Sequence, residues 1–273
     1  MLIACVLERG TGLAASNSDF YFSKTIEKGL IILSLFDRDH QQRSLTEITK
    51  LTGINKTSVY RFVNTLLQLG YLKKNNSNKA LKLGPIAFVT GHNFIDGFDL
   101  FQRIKPIIDK AFMEHNISID SAIVHNHTLI SLYRCEMPNL IYFRLPLIME
   151  DLYARAMGKA VLAHLDEKSL SRFLEGVQRT KLTPKTLIGV EELLEDIELT
   201  KSRGYSVNNE EYIKGLICIG APLMNFNTKP VAGAISLDFP SSEDSLSSIE
   251  RKYTGILTKL ASDLSEIITT TDL

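Results

Sequence analysis

Lys56, Thr57, Ser58, Tyr60, Arg61 and Asn64 lie on the polar face of one helical pattern. The opposite face carries Val59, Phe62, Val63 and Leu66 at i, i+3, i+4, i+7. Cations, hydroxyls and an amide gathered this way can reach phosphates and base edges, and they have little use inside a core. Their placement needs two short helices around a tight turn, and Ser44–Leu72 supplies that pattern. Leu45, Ile48 and Leu51 recur every third residue on a first helix. Gly53 can take the positive φ of the turn, Asn55 can cap the second helix, and Gly70 can stop it. The spacing predicts a helix-turn-helix whose second helix enters the major groove of double-stranded DNA. The following residues predict a basic hairpin. Leu72 and Ala80–Leu83 are its strands, and Asn75, Asn76, Ser77 and Asn78 its turn. Lys73, Lys74 and Lys79 then face backbone phosphates, as on the wing of a winged helix.

Other chemistry finds less support. The chain contains no G-x-S-x-G, H-E-x-x-H, P-loop or dinucleotide fingerprint. His125 and His127, with Cys135, could be metal donors, but no fourth ligand stands at tetrahedral spacing. A polar hairpin turn is the better reading of the two histidines. No metal or other cofactor is expected.

The 273 residues are 44% hydrophobic and 23% charged, which is a globular composition long enough for two domains. The net charge of zero hides a division. Residues 20–83 hold eleven Lys and Arg against four Asp and Glu, whereas residues 84–273 hold nineteen against twenty-five. A small basic domain joined to a larger acidic one suits phosphate contact at one end only. Cys5, Cys135 and Cys218 form no C-x-x-C pair, a pattern expected of a reduced, cytoplasmic protein. Met1–Leu7 is too short and lacks the basic flank of a signal peptide, and no other apolar run approaches a membrane span.

In chain order, residues 1–19 read as a loose arm. Lys24–Phe36 reads as a helix, with Ile26, Leu30, Leu33 and Phe36 packed behind the helix-turn-helix, and residues 20–83 form the DNA-binding domain. Gly84-Pro85 opens a linker helix over 84–98 whose apolar residues, Ile86, Phe88, Val89, Phe94 and Ile95, are suited to pairing subunits. Residues 99–273 then form a second domain. Asp99–His115, Met157–His164, Lys168–Gly176, Gly189–Arg203 and Leu246–Ile268 are its helices. Ile119–His125, Leu129–Tyr133, Leu140–Leu147, Tyr205–Asn208, Ile217–Leu223 and Val231–Phe239 are its strands. Helices flanking antiparallel strands make an α+β domain.

Several segments in order carry a family resemblance. Lys56-Thr57-Ser58-Val59-Tyr60-Arg61 resembles the start of the recognition helix of IclR-family transcriptional regulators, and Leu69-Gly70-Tyr71-Leu72 their step into the wing. Ala156-Met157-Gly158-Lys159-Ala160-Val161-Leu162-Ala163 is similar to the first signature of their C-terminal domain. Arg203–Ser206, Asn208–Glu211 and Gly215–Leu223 resemble the second, and Val231–Leu237 the last strand. The resemblance runs from about Phe22 to the C-terminus. It implies a GAF-like effector-binding domain behind the winged helix, a dimer or tetramer, and a ligand-responsive regulator of metabolic genes. The expected effector is a small organic acid that releases or modulates a repressor. By position, the implied pocket uses the backbone of Ala156 and Met157, with Asn208, Cys218, Ser236 and Asp238. The chain departs from the family at Arg155, where Ser or Thr is usual, and at Asp238, where a small residue is common.

Residue chemistry alone leaves alternatives at these positions. Arg155 is a surface charge or an anion clamp. Lys159 reads as a solvated helix residue, and Cys218 as a buried, inert thiol. Ser236 and Asp238 alternate onto one strand face, so both enter the pocket or neither does. Rival readings of the whole chain are a redox- or metal-responsive regulator, and an enzyme with an accessory winged helix.

Overall fold

The computed structural model describes residues 21–138, 145–228 and 231–271. The chain divides into two compact units, Met1–Gly97 and Phe98–Leu273. The expected arm at residues 1–19 and Cys5 lie outside the described residues, as do 140–144 of the expected strand Leu140–Leu147. Residues 145–147 are not strand; the next one begins at Ile148.

The first unit comprises α1 (Lys24–Leu33), α2 (Leu45–Thr52), α3 (Lys56–Gln68), β1 (Leu72–Lys74), β2 (Leu81–Leu83) and α4 (Pro85–Gly97). Local chemistry sets the boundaries. Ser44 and Glu47 form a reciprocal capping box at the start of α2, and Gly53 ends it at φ 65°. The Asn55 side chain accepts the Ser58 backbone N–H at 2.9 Å and so caps α3. Gly70, at φ 77°, turns the chain into the wing. There β1 and β2 pair antiparallel with Leu72 opposite Leu83, and Arg43 adds a bridge to Leu81. Ile32, Leu35, Phe36, Ile48, Val59, Val63, Leu72 and Leu81 form the core.

The expected inner stripe of α1 is corrected. Ile26 is 64% exposed and Leu30 57% exposed, while Ile31 and Ile32 are buried. This helix is apolar on two faces, and periodicity alone does not say which one the core takes. On α4 every apolar side chain is outside the core, Phe88 most of all at 72% exposure.

The second unit holds α5 (Asp99–His115), β3 (Ser118–His125), β4 (Thr128–Cys135), β5 (Ile148–Met149), α6 (Ala156–Leu162), α7 (Glu167–Gly176), α8 (Val190–Arg203), β6 (Ser206–Asn209), β7 (Leu216–Met224), β8 (Val231–Pro240) and α9 (Leu246–Thr269). Its six-stranded antiparallel sheet has the order β5-β4-β3-β8-β7-β6. Strand alternation sorts the two faces. Ile217, Ile219, Ile235, Leu237 and Val207 pack under α5 and α9. The alternate residues Asn208, Cys218, Ser236 and Asp238 face the side covered by α6. A second apolar cluster, including Leu152, Met157, Val161 and Leu193, closes that side. No helix among the described residues is long and apolar enough to cross a membrane.

Candidate functional site

On α3, Lys56, Thr57, Tyr60 and Arg61 are exposed, Ser58 and Asn64 are half-buried, and Val59 and Val63 are buried on the far side. The helix therefore presents one polar surface. Lys73, Lys74 and Lys79 are exposed on the wing. The wing turn is fixed by Asn75, whose side chain accepts the Ser77 N–H at 3.0 Å, and by Lys79 in the left-handed region at φ 57°. Gln42, which sequence reasoning did not single out, ties the turn down. Its Oε1 accepts from the Asn78 amide at 3.2 Å and the Asn75 amide at 3.4 Å.

In the second unit, register brings a row of polar side chains across the sheet. Asn208 on β6 pairs with Cys218 on β7, Cys218 with Asp238 on β8, and Asp120 on β3 with Ser236. All of them line a cavity of about 30 Å³ with Arg134, Arg155, Ala156, Met157 and Tyr212. Ser236 and Asp238 are thus both inside, and Ser236 Oγ donates to Asp238 Oδ1 at 2.8 Å. A larger hollow between α5 and α9, near 970 Å³, is edged by exposed helix-surface pairs such as Lys259–Asp263. Among the described residues, no buried polar group without a partner lines it.

The charges of the small cavity are unequal in their partners. Arg134 Nε donates to Asp120 Oδ2 at 2.9 Å and Nη2 to the same oxygen, while Ser131 Oγ donates to Asp120 Oδ1 at 2.8 Å. Burial works against both charges, and Asp120 holds the Arg134 guanidinium above its ordinary value. Arg155 differs. It is 6% exposed, its guanidinium lies over the Tyr212 ring at 3.5 Å, and Nε and Nη2 have no hydrogen-bond partner among the described residues. Burial pulls its pKa below the ordinary arginine value, yet an arginine remains charged near neutrality. Asp238 is pushed from 3.8 to about 6, by burial first and the Asp120 charge second, against Arg134 and the Ser236 and Cys218 hydrogen bonds. Burial, then Asp238, raises the Cys218 thiol. A thiol so raised is a weak nucleophile.

Asn208 lines the cavity, but its polar atoms are engaged. Nδ2 donates to the Ala154 carbonyl at 2.5 Å, and Oδ1 accepts the Glu211 N–H at 3.0 Å. Lys159 corrects the expectation of a solvated side chain. It is 1% exposed, with Nζ 2.5 Å from Glu211, 2.8 Å from Asp196 and 3.2 Å from the Val207 carbonyl. The helix that carries it is buried all round. Lys159 is thus held between two acids, Asp196 and Glu211, and Glu211 adjoins Tyr212 in the chain. Thr183 and Thr186 donate to the Glu210 and Glu211 carbonyls at 2.7 and 2.6 Å. The loop between β6 and β7 is therefore held over the cavity from behind.

The expected helix start is also revised. Helix α6 begins at Ala156, and Gly158 serves close packing: a Cβ there would meet the Leu152 carbonyl oxygen at 2.1 Å. Gly220 matters for the same reason, since its Cβ would meet Ala156 at 2.8 Å. Sequence reasoning missed Asp120, Arg134 and Tyr212. An aspartate amid Ile119, Ser121 and Ala122 was the available signal, because acids are rare in central strands. His125 and His127 sit exposed on the β3–β4 hairpin. Among the described residues no cluster of three His, Cys, Asp or Glu could hold a metal.

Comparison with known proteins agrees with this two-part arrangement. The model of the bacterial transcriptional regulator IclR C-terminal domain matches residues 92–266, and that of the IclR helix-turn-helix domain residues 25–76. The HTH-type transcriptional regulator XynR of Escherichia coli (strain K12) is 28% identical over 216 residues, 78% of this chain and 85% of XynR. The transcriptional repressor IclR of the same strain is 26% identical over 222 residues, 80% of this chain and 81% of the repressor. Among solved structures, an IclR homolog from Microbacterium hydrocarbonoxydans complexed with 4-hydroxybenzoate shares the fold. Its TM-score is 0.74 at 15% identity, covering 91% of this chain and 100% of that one. The C-terminal match alone takes in well over half the chain, and the other falls on the helix-turn-helix, so this protein belongs to the IclR family of bacterial transcriptional regulators.

Proposed function

We propose that the chain is a cytoplasmic repressor of metabolic genes, released or modulated by a small organic acid that binds the second-unit cavity. The observation that carries this reading is Arg155, a buried guanidinium with two unbonded nitrogens at the cavity wall. A buried cation with unbonded donors is costly even over an aromatic ring, so a site that keeps one is suited to an anion. The Ala156 and Met157 backbone, Ser236, Cys218 and Asp238 surround the acid, and Asn208 shapes the wall through its backbone bonds. The present space of about 30 Å³ holds a water or two, well short of a ligand pocket. Entry therefore requires Tyr212 to leave Arg155, and the acid takes its place. That exchange moves the loop between β6 and β7 and supplies the differential affinity that switching needs.

At the other end, Lys56, Thr57, Ser58, Tyr60, Arg61 and Asn64 meet the major groove, and Lys73, Lys74 and Lys79 the phosphates. The working species is a dimer or tetramer, paired in part through the exposed apolar side chains of α4 and of Ile26 and Leu30 on α1. The test is a thermal-shift screen of the full chain against small aliphatic and aromatic acids, 4-hydroxybenzoate included. At least one acid should raise the melting temperature of the parent and leave Arg155→Gln unmoved. An acid that raises both equally places the anion elsewhere.

The raised thiols of half-buried Cys135 and buried Cys218 favour this reading over a redox sensor. Burial raises Cys135 as well as Cys218, whereas a sensing cysteine needs thiolate character.

A further inference from the structure

We infer that the cavity selects effectors carrying a hydrogen-bond donor beside a single carboxylate, with Arg155 taking the carboxylate and Asp238 the donor. The inference rests on the anion reading above and adds the class of acid. Four charged side chains line the cavity: Asp120, Arg134, Arg155 and Asp238. Asp120 and Arg134 are closed on each other. That leaves Arg155 as the cavity's guanidinium outside a carboxylate pair, with Nε and Nη2 unbonded among the described residues and Tyr212 its stacking partner, which matches one carboxylate.

Asp238 sets the second condition. It is buried on the same wall and already accepts from Ser236 and from the Cys218 thiol. A plain carboxylate entering beside it brings two negative charges together in a dry space. A hydroxyl or ammonium on the ligand turns that repulsion into a charge-assisted hydrogen bond. The remaining groups that face the cavity do not relieve it. Asp120 on β3 adds negative charge, Arg134 on β4 is bonded to Asp120 and offsets burial at Asp238 only in part, Arg155 is spent on the incoming acid, and the Cys218 thiol is raised. A plain acid can therefore bind only as Asp238 takes up a proton, which its carboxyl, at about 6, does readily. A hydroxy acid binds without one.

The experiment uses the full chain and calorimetry slightly above neutral pH, in two buffers of different ionisation enthalpy. The probes are lactate against propionate, and 4-hydroxybenzoate against benzoate, which bracket short and long spans between carboxylate and hydroxyl. In at least one pair the hydroxylated member should bind about tenfold tighter. The plain member should take up a proton, seen as a buffer-dependent heat. Asp238→Asn should shrink the gap below about threefold and remove the uptake; Asp238→Ser, with melting checked, guards against an Asn-specific effect. Equal affinities in both pairs, or a gap that survives both variants, overturns the inference. Arg155→Gln separates the two readings. If it binds acids as the parent does, the anion site is wrong; if it loses them while the parent shows no hydroxyl gap, only the selectivity is wrong. No binding of any probe at millimolar concentration overturns both.

Discussion

Replacing Arg155 by Met should make the free protein more stable and deaf to its effector. The side chain is 6% exposed, and Nε and Nη2 have no partner among the described residues. Each buried, unbonded donor costs about 1–3 kcal/mol, so the pair costs about 2–6. The guanidinium recovers part of this over the Tyr212 ring at 3.5 Å, about 2 kcal/mol for a desolvated stack. Met has a similar length, fills the volume flexibly and carries no charge. At the middle of that range, about 4 less 2, the balance is a gain of about 2 kcal/mol for Arg155→Met, or roughly 4–8 °C in the melting of the second unit. Differential scanning calorimetry of parent and variant reads this directly. An unchanged or lowered transition would refute the reasoning, because it would mean that the guanidinium is satisfied and is not held ready for an anion. The effect has the form of a stability–function exchange, since the residue that costs stability is the one that binds.

Further outcomes follow from other residues. Arg61→Ala should weaken operator binding by about 1–3 kcal/mol and relax base choice, whereas Lys73→Ala should weaken all DNA alike and flatten the salt dependence, both measured by fluorescence anisotropy. Lys159→Met should cost about 3–5 kcal/mol in urea unfolding, because it strands Glu211 and Asp196; a cost below about 1 kcal/mol would show the network to be dispensable. Asp238 has a folded value of about 6 against an ordinary 3.8, so the folded state binds its proton more tightly. Its stabilising proton is fully bound below pH 3.8 in both states, and the contribution is lost as pH rises through about 6. Burial also lifts Asp120 and Glu211, so Asp238→Asn should flatten the fall in stability over that window without abolishing it. Phe88→Glu should lower the mass seen by light scattering and weaken DNA binding together; a monomeric parent that still binds DNA at micromolar concentration would contradict the pairing through α4.

The two ends of the molecule were legible to different degrees. The helix-turn-helix could be read because its determinants are local. Asn55 caps within three residues, and Gly53 and Gly70 take positive φ where the pattern demands it. The limits of α5, α9 and most strands were readable for the same reason. The cavity was not, because its members meet through long-range pairing. Asp120 meets Ser236 only once β3 is beside β8, and Arg134 only once β4 pairs with β3. Sequence gave Ser236 and Asp238 a common face by alternation, without saying what faced them. Lys159 misled because lysine is rarely buried, and the two acids that hold it lie 37 and 52 residues away in the chain. Arg155 stood undecided for a like reason, since nothing nearby in sequence shows that Tyr212 covers it.

The central claim is that an acid at Arg155 changes how the other end of the chain binds DNA. The direct measurement is the affinity of the full chain for a duplex selected from randomised DNA, with and without the acid that most raises the melting temperature. Each protein is compared with its own acid-free value. The acid should change the parent's affinity by at least about fivefold and that of Arg155→Gln by less than about twofold. A variant that responds as the parent does would contradict the account.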